Sequence, residues 1–223
     1  MLDTLNMPLL IHKRLDPDLE IGIWQIAEKE AWYTDRLTFY PDEEKQLAQI
    51  KGHRRVEWLA SRQLVHHMSG RKKRGAFLKD EFGKPHLEDA TYQISISHSH
   101  GMTAAISGPC DIGIDIQKIV PKIGRIANRF LNQQEKDCLS PDYFYLNHLH
   151  VFWGAKEALY KAYGRRKLDF SGHLFVEPFK YHPHIGVCRG WVRKEEYQKA
   201  FEIHYEMVLS DHMLVYVREE EGV

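Results

Sequence analysis

The stretch "DIGIDIQ", residues 111–117, decides how this chain is read. Ile112, Ile114 and Ile116 alternate with Gly113, Asp115 and Gln117, the two-residue period of a strand. The alternation turns the isoleucines to one face and Asp115 and Gln117 to the other. Two oxygen-bearing side chains two residues apart can converge on one hard cation such as Mg2+. A solvated outer face of an edge strand gives the same pattern, so the stretch alone leaves both readings open.

Upstream, "YQISISHS" (92–99) also alternates, and "MTAAISG" (102–108) reads as a strand with Gly108-Pro109 as the turn beyond it. With 111–117 these predict an antiparallel set. Asp80 to Pro85 is turn chemistry. Residues 51–74 carry eight Lys/Arg against one Glu. Val56, Trp58, Leu59, Ala60, Leu64 and Val65 give that segment one apolar face, predicting a helix from near Asp42 to a stop at Gly70. Downstream, 121–139 reads as helical. "LHVFWGAKEALYKAYG" (149–164) is a stronger helix closed by Gly164. Four segments between 168 and 220 read as strands and turns. Helices and strand groups in both halves, without regular βαβ repeats, predict an α+β fold.

The 223 residues suit one large domain or two small ones. Lys plus Arg equals Asp plus Glu at 31 each, so net charge points to neither nucleic acid nor membrane. No apolar run approaches the roughly 20 residues that span a bilayer. The opening "MLDTLNMPLLIHKRLD" lacks a basic n-region with a cleavage site, so no signal peptide is expected, and the protein is expected to be cytoplasmic. Cys110, Cys138 and Cys188 read as free thiols in a reducing compartment; none has the surroundings of an activated nucleophile. The 14 histidines show no zinc spacing.

Several polar groups carry a functional and a bland reading side by side. Glu157 and Lys161 stand at i and i+4. They are either an exposed ion pair worth roughly 0.3–0.5 kcal/mol, or a carboxylate for a metal with an ammonium for a phosphate. Ser97 and His98 with Asp115 suggest a hydrolase triad, but no G-x-S-x-G elbow exists and neighbours on a strand face opposite ways. His98 can instead donate to a phosphate oxygen. Lys84 of "FGKPH" lies in a turn, solvated or on a ligand. The arginines of 51–74 suit an anion, since their forks match phosphate geometry, or simply a solvated face. No P-loop or dinucleotide signature is present.

In order, "GKPHL", "ISISHS", "IGIDIQ" and "FWGAKEALYKAYG" resemble the 4′-phosphopantetheinyl transferase superfamily over about residues 50–165. The length resembles its larger, monomeric, surfactin-synthetase-activating type. The resemblance implies two pseudo-symmetric α+β halves, here 1–109 and 110–223, with the active site between them. It implies Mg2+-dependent transfer of phosphopantetheine from coenzyme A to a serine of an apo acyl, peptidyl or polyketide carrier protein, releasing 3′,5′-ADP. The metal would lie on Asp115, Glu157 and Gln117. Lys161 would meet the diphosphate, Ser97 and His98 coenzyme A, and Lys84 the nucleotide. Arg55 and Arg62, with Arg54 behind them, would take the 3′-phosphate. Glu157, directly or through a water, is the expected base for the acceptor serine, with Glu135 as runner-up. Arg125, Arg129 and Phe130 are candidates for carrier contact; an ordinary amphipathic helix reads the same.

The chain departs from the family pattern at two positions. Many members carry a second acid where Gln117 stands, so the expected metal site is one negative charge poorer. Gly154 replaces a small hydroxyl or thiol residue. A homologue that binds coenzyme A without turnover, and an unrelated Mg2+-dependent phosphotransferase, are the alternatives.

Overall fold

The computed structural model describes residues 8–220. The fold is α+β, and among the described residues every strand pairing is antiparallel. The chain divides into two compact units. One takes the chain up to Asp80 and Pro85–Pro109; the other takes Glu81–Lys84 and the chain from Cys110 on. The expected absence of a signal peptide concerns residues that lie partly outside those described.

The first unit opens with a hairpin, β1 (Leu9–Asp16) and β2 (Leu19–Gln25), which the sequence patterning did not reveal. Helices α1 (Glu30–Thr34), α2 (Pro41–Gln49) and α3 (Arg54–Ser69) follow. Then come β3 (Phe77–Lys79), β4 (Pro85–Leu87), β5 (Gln93–Ser99) and β6 (Met102–Gly108). The main sheet runs β1-β2-β6-β5. Leu59, Leu64, Val65 and Met68 of α3 pack with Trp24, Ile94 and Ala105 of that sheet as the unit's core. The single helix expected from Asp42 to Gly70 is two. Ile50 leaves α2 in an extended conformation and α3 starts afresh at Arg54, while Gly70 caps α3 at φ 60°.

The second unit holds β7 (Ile112–Lys118), a 3-10 turn (Pro121–Ile126), α4 (Ala127–Phe130), α5 (Gln133–Asp137) and α6 (Tyr145–Tyr163). Four strands complete it: β8 (Leu174–Val176), β9 (Ile185–Lys194), β10 (Tyr197–Val208) and β11 (His212–Glu219). Its sheet runs β7-β11-β10-β9-β8. The expected antiparallel set therefore splits: β5 and β6 pair, but β7 pairs with β11. The helical reading of 121–139 also breaks up. Leu131 and Asn132 are extended, and Asn132 starts α5 through a reciprocal capping box with Glu135. Leu149, Phe152, Ala155 and Leu159 of α6 pack with Phe201, Ile203 and Val215 of the sheet as this unit's core.

No helix among the described residues is long and apolar enough to cross a membrane. The three cysteines are free and partly buried, and burial pushes each thiol up.

Candidate functional site

The two faces of β7 differ as the alternation demands. Ile112, Ile114 and Ile116 are almost fully buried. Gly113, Asp115 and Gln117 face α6. A Cβ built on Gly113 would stand 1.9 Å from the Ala158 carbonyl oxygen, so only glycine lets the helix backbone come this close. The close approach brings Lys161, one turn beyond Glu157, onto the strand. Its ammonium donates to the Ile114 carbonyl at 2.8 Å and to Asp115 Oδ1 at 3.0 Å.

Glu157 flanks the same contact. Burial pushes its carboxyl up, the negative charge of Asp115 pushes it further, and Lys161 opposes both. Two carboxylates and one ammonium thus share a partly buried corner. That donor set suits a hard divalent cation, which would relieve the repulsion between the acids. Among the described residues no three His, Cys, Asp or Glu side chains gather to hold an ion. A cation here would rest on Asp115 and Glu157, with waters or substrate oxygens in its other positions.

Gln117 is engaged elsewhere. His150 Nε2 lies 3.0 Å from Val120 N and 3.2 Å from the Val120 carbonyl oxygen, and the Gln117 amide oxygen beside Nδ1, which can only accept, calls for a proton on Nδ1. That N–H donates to Gln117 Oε1 at 2.7 Å, and Gln117 Nε2 donates to the His150 carbonyl at 3.1 Å. Burial holds His150 below its ordinary value, in keeping with a neutral ring. The oxygen expected on the metal is therefore already hydrogen-bonded to a ring on α6. Gly154 belongs to this arrangement, because a Cβ there would meet Val215 Cγ2 at 2.6 Å and Gln117 Nε2 at 2.8 Å.

Glu135, the alternative base, is a core residue. It is fully buried and accepts from Asn132 N, Val176 N and Lys156 Nζ at 2.8, 3.0 and 2.7 Å. Lys156 also donates to the Phe130 and Phe170 carbonyls, so its three protons all have acceptors. A carboxylate sealed in this way cannot reach an acceptor hydroxyl. Phe130 is 1% exposed and packs edge-on against Trp153, so it drops out of the carrier-facing candidates. Arg125 and Arg129 are exposed. Lys84 lies in the second unit and donates to the Ala162 carbonyl at 3.1 Å, near the C-terminal end of α6, where a cation complements the helix dipole.

The remaining expected residues lie in the first unit. Arg55 is tied down by Glu30 at 2.7 Å and by the Leu47 and Ile50 carbonyls at the end of α2. Arg62 is buried. Its guanidinium stacks 3.3 Å from the Trp58 ring centroid and pairs with Glu43, which is also held by Arg74. Burial pulls its pKa down to about 9. Both arginines expected on the 3′-phosphate thus have structural partners. Arg54 does not share that fate: with His53, Glu57, His98, Ser99 and His100 it lines an open cavity of about 560 Å3. Ser97 is buried on the opposite face of β5, where strand alternation sends it.

His150 and Glu57 escaped the sequence reading. His150 sits on the α6 stripe through Gly154, Glu157 and Lys161, and helical spacing from the Glu–Lys pair leads to it. Glu57 is the single acid in the basic segment 51–74, an anomaly legible in the sequence.

Residues 111–183 match the family model described as the 4′-phosphopantetheinyl transferase superfamily. The matched third of the chain contains Asp115, Gln117, Glu157 and Lys161. No curated protein matches the chain.

Proposed function

We propose that this chain transfers 4′-phosphopantetheine from coenzyme A to a serine hydroxyl of an apo carrier protein, with Mg2+, releasing 3′,5′-ADP. The observation that carries the reading is the β7–α6 contact, where Gly113 lets the helix set Glu157 and Lys161 beside Asp115. The family-model match over 111–183 and the order of the four motifs support it. The finer assignments, to a larger monomeric type with two similar halves acting in the cytoplasm, rest on the resemblance and are part of the proposal.

Asp115 and Glu157 are the residues that would hold Mg2+, which when bound neutralises charge on the diphosphate. Glu157 takes the proton of the acceptor serine as its oxygen forms a bond to the β-phosphorus of coenzyme A. The bond from that phosphorus to the bridging oxygen breaks, and 3′,5′-ADP departs with the electron pair. Lys161, held in place by the Ile114 carbonyl, stabilises the negative charge on the leaving phosphate. Gln117 acts at one remove, fixing α6 on β7 through His150. On the resemblance, Arg54 and His98 of the first unit are proposed phosphate contacts, and Lys84, held at the end of α6, a proposed nucleotide contact. Exposed Arg125 and Arg129 would suit the acidic helix of a carrier.

Mass spectrometry of apo carrier proteins incubated with the chain, coenzyme A and Mg2+ tests the reading. A gain of the phosphopantetheine mass, lost in Glu157→Gln, is expected. No gain with acyl, peptidyl and polyketide carriers alike would overturn it.

A further inference from the structure

The open cavity of the first unit is lined by Arg54 and three histidines, His53, His98 and His100, yet one acid stands among them. A carboxylate weakens any anion site unless its charge is used. Glu57 lies in the first turn of α3 with its side chain only 12% exposed, and its Oε2 is 3.2 Å from Nδ1 of His98, which is 46% exposed. The acid is thus the inner member of the pair and the ring the outer one.

We infer that Glu57 is a positioning residue: it holds the His98 ring and its proton so that the nitrogen opposite Nδ1 donates to a phosphate of the donor. The inference rests on the proposed use of coenzyme A. A carboxylate at one imidazole nitrogen fixes the tautomer and favours the charged ring. Among the described residues that line the cavity, the other charged or titratable groups are His53 and Arg54 at the start of α3 and His100 across the β5–β6 turn. None of the three carries a negative charge, and Glu57 is the one carboxylate in that lining. Its place in the first turn of α3 also suits the helix dipole, a purely structural role that the test must separate.

Calorimetry of coenzyme A binding to the full chain between pH 6 and 9 makes that separation. Wild type and Glu57→Gln are compared, each also in a His98→Asn background, with histidine titration followed by NMR. Glu57→Gln should weaken binding about tenfold at pH 8 and recover most of it at pH 6, where the ring protonates unaided. The His98 titration midpoint should fall once the carboxylate is removed. In the His98→Asn background the same change should have no further effect. Equal affinity at pH 8, a loss independent of pH, or an equal loss in the His98→Asn background would overturn the inference. Failure of the wild type to bind coenzyme A would instead defeat the proposed function.

Discussion

Replacing Gly113 by alanine probes the contact on which the site depends. The added Cβ would lie 1.9 Å from the Ala158 carbonyl oxygen, 2.7 Å from the Ala158 carbonyl carbon and 3.0 Å from Ala162 N. All three are backbone atoms of α6, so no side chain can swing aside. Ordinary contact requires the helix to retreat by about 1.5 Å. Overpacking of this kind typically costs about 1–3 kcal/mol, and clashes with rigid backbone belong at the upper end. The retreat would also stretch the 3.0 Å link from Lys161 to Asp115 and draw Glu157 away. A displacement of about 1 Å at reacting groups can cost about 100-fold in rate. Gly113→Ala should therefore retain its far-ultraviolet dichroism, lose about 3 kcal/mol in urea unfolding, and transfer phosphopantetheine about 100-fold more slowly at saturating coenzyme A. Near wild-type stability and turnover together would refute the view that glycine sets the helix-to-strand distance.

Three further outcomes follow from buried polar groups. Lys156→Met leaves Glu135 charged in the core and should cost about 3–5 kcal/mol in urea unfolding; a loss under 1 kcal/mol would contradict the pairing. Gln117→Glu sets a carboxylate oxygen against the His150 carbonyl in place of an N–H, and should cost about 1–3 kcal/mol; unchanged stability would mean the amide is not held there. His148 is fully buried, and burial lowers its pKa from 6.5 to about 4. The unfolded chain therefore takes up the proton first, and stability present above pH 6.5 drains away as pH falls toward 4, by about 3 kcal/mol from this ring. His148→Phe should flatten that part of the stability profile; an unaltered slope would assign it to other groups.

The strand alternation at 111–117 was legible because one face of β7 meets a hydrophobic core and the other a helix, and a period of two records both. The α6 helix was legible from its composition and its closing glycine. The partners of the arginines were not. Arg55 and Arg62 read as phosphate ligands because they stand in a basic segment. Their acids, Glu30 and Glu43, lie 25 and 19 positions earlier, and only the fold brings them together. The break between α2 and α3 was legible but passed over: Gly52 stands in it at φ 63°, a turn signal that the continuous charge of the segment masked. Gln117 stood out as a missing charge, but its partner His150 is 33 residues away on α6. Phe130 shows the same limit: an apolar residue beside two arginines looks alike on a surface and at the edge of a core.

A helix can misplace its side chains by sliding away or by turning on its own axis, and Gly113 governs only the first. Lys156 governs the second. Its ammonium reaches three acceptors in fixed directions on the far side of α6 from β7, so any roll of the helix would pull it from all of them at once. Glu157 is the next residue, about 100° around the same axis. The heading of the proposed base is therefore set by a neighbour with no part in the proposed chemistry. Substitutions at Phe130, Glu135 or Phe170 that loosen this mooring would show up in the direction in which Glu157 faces.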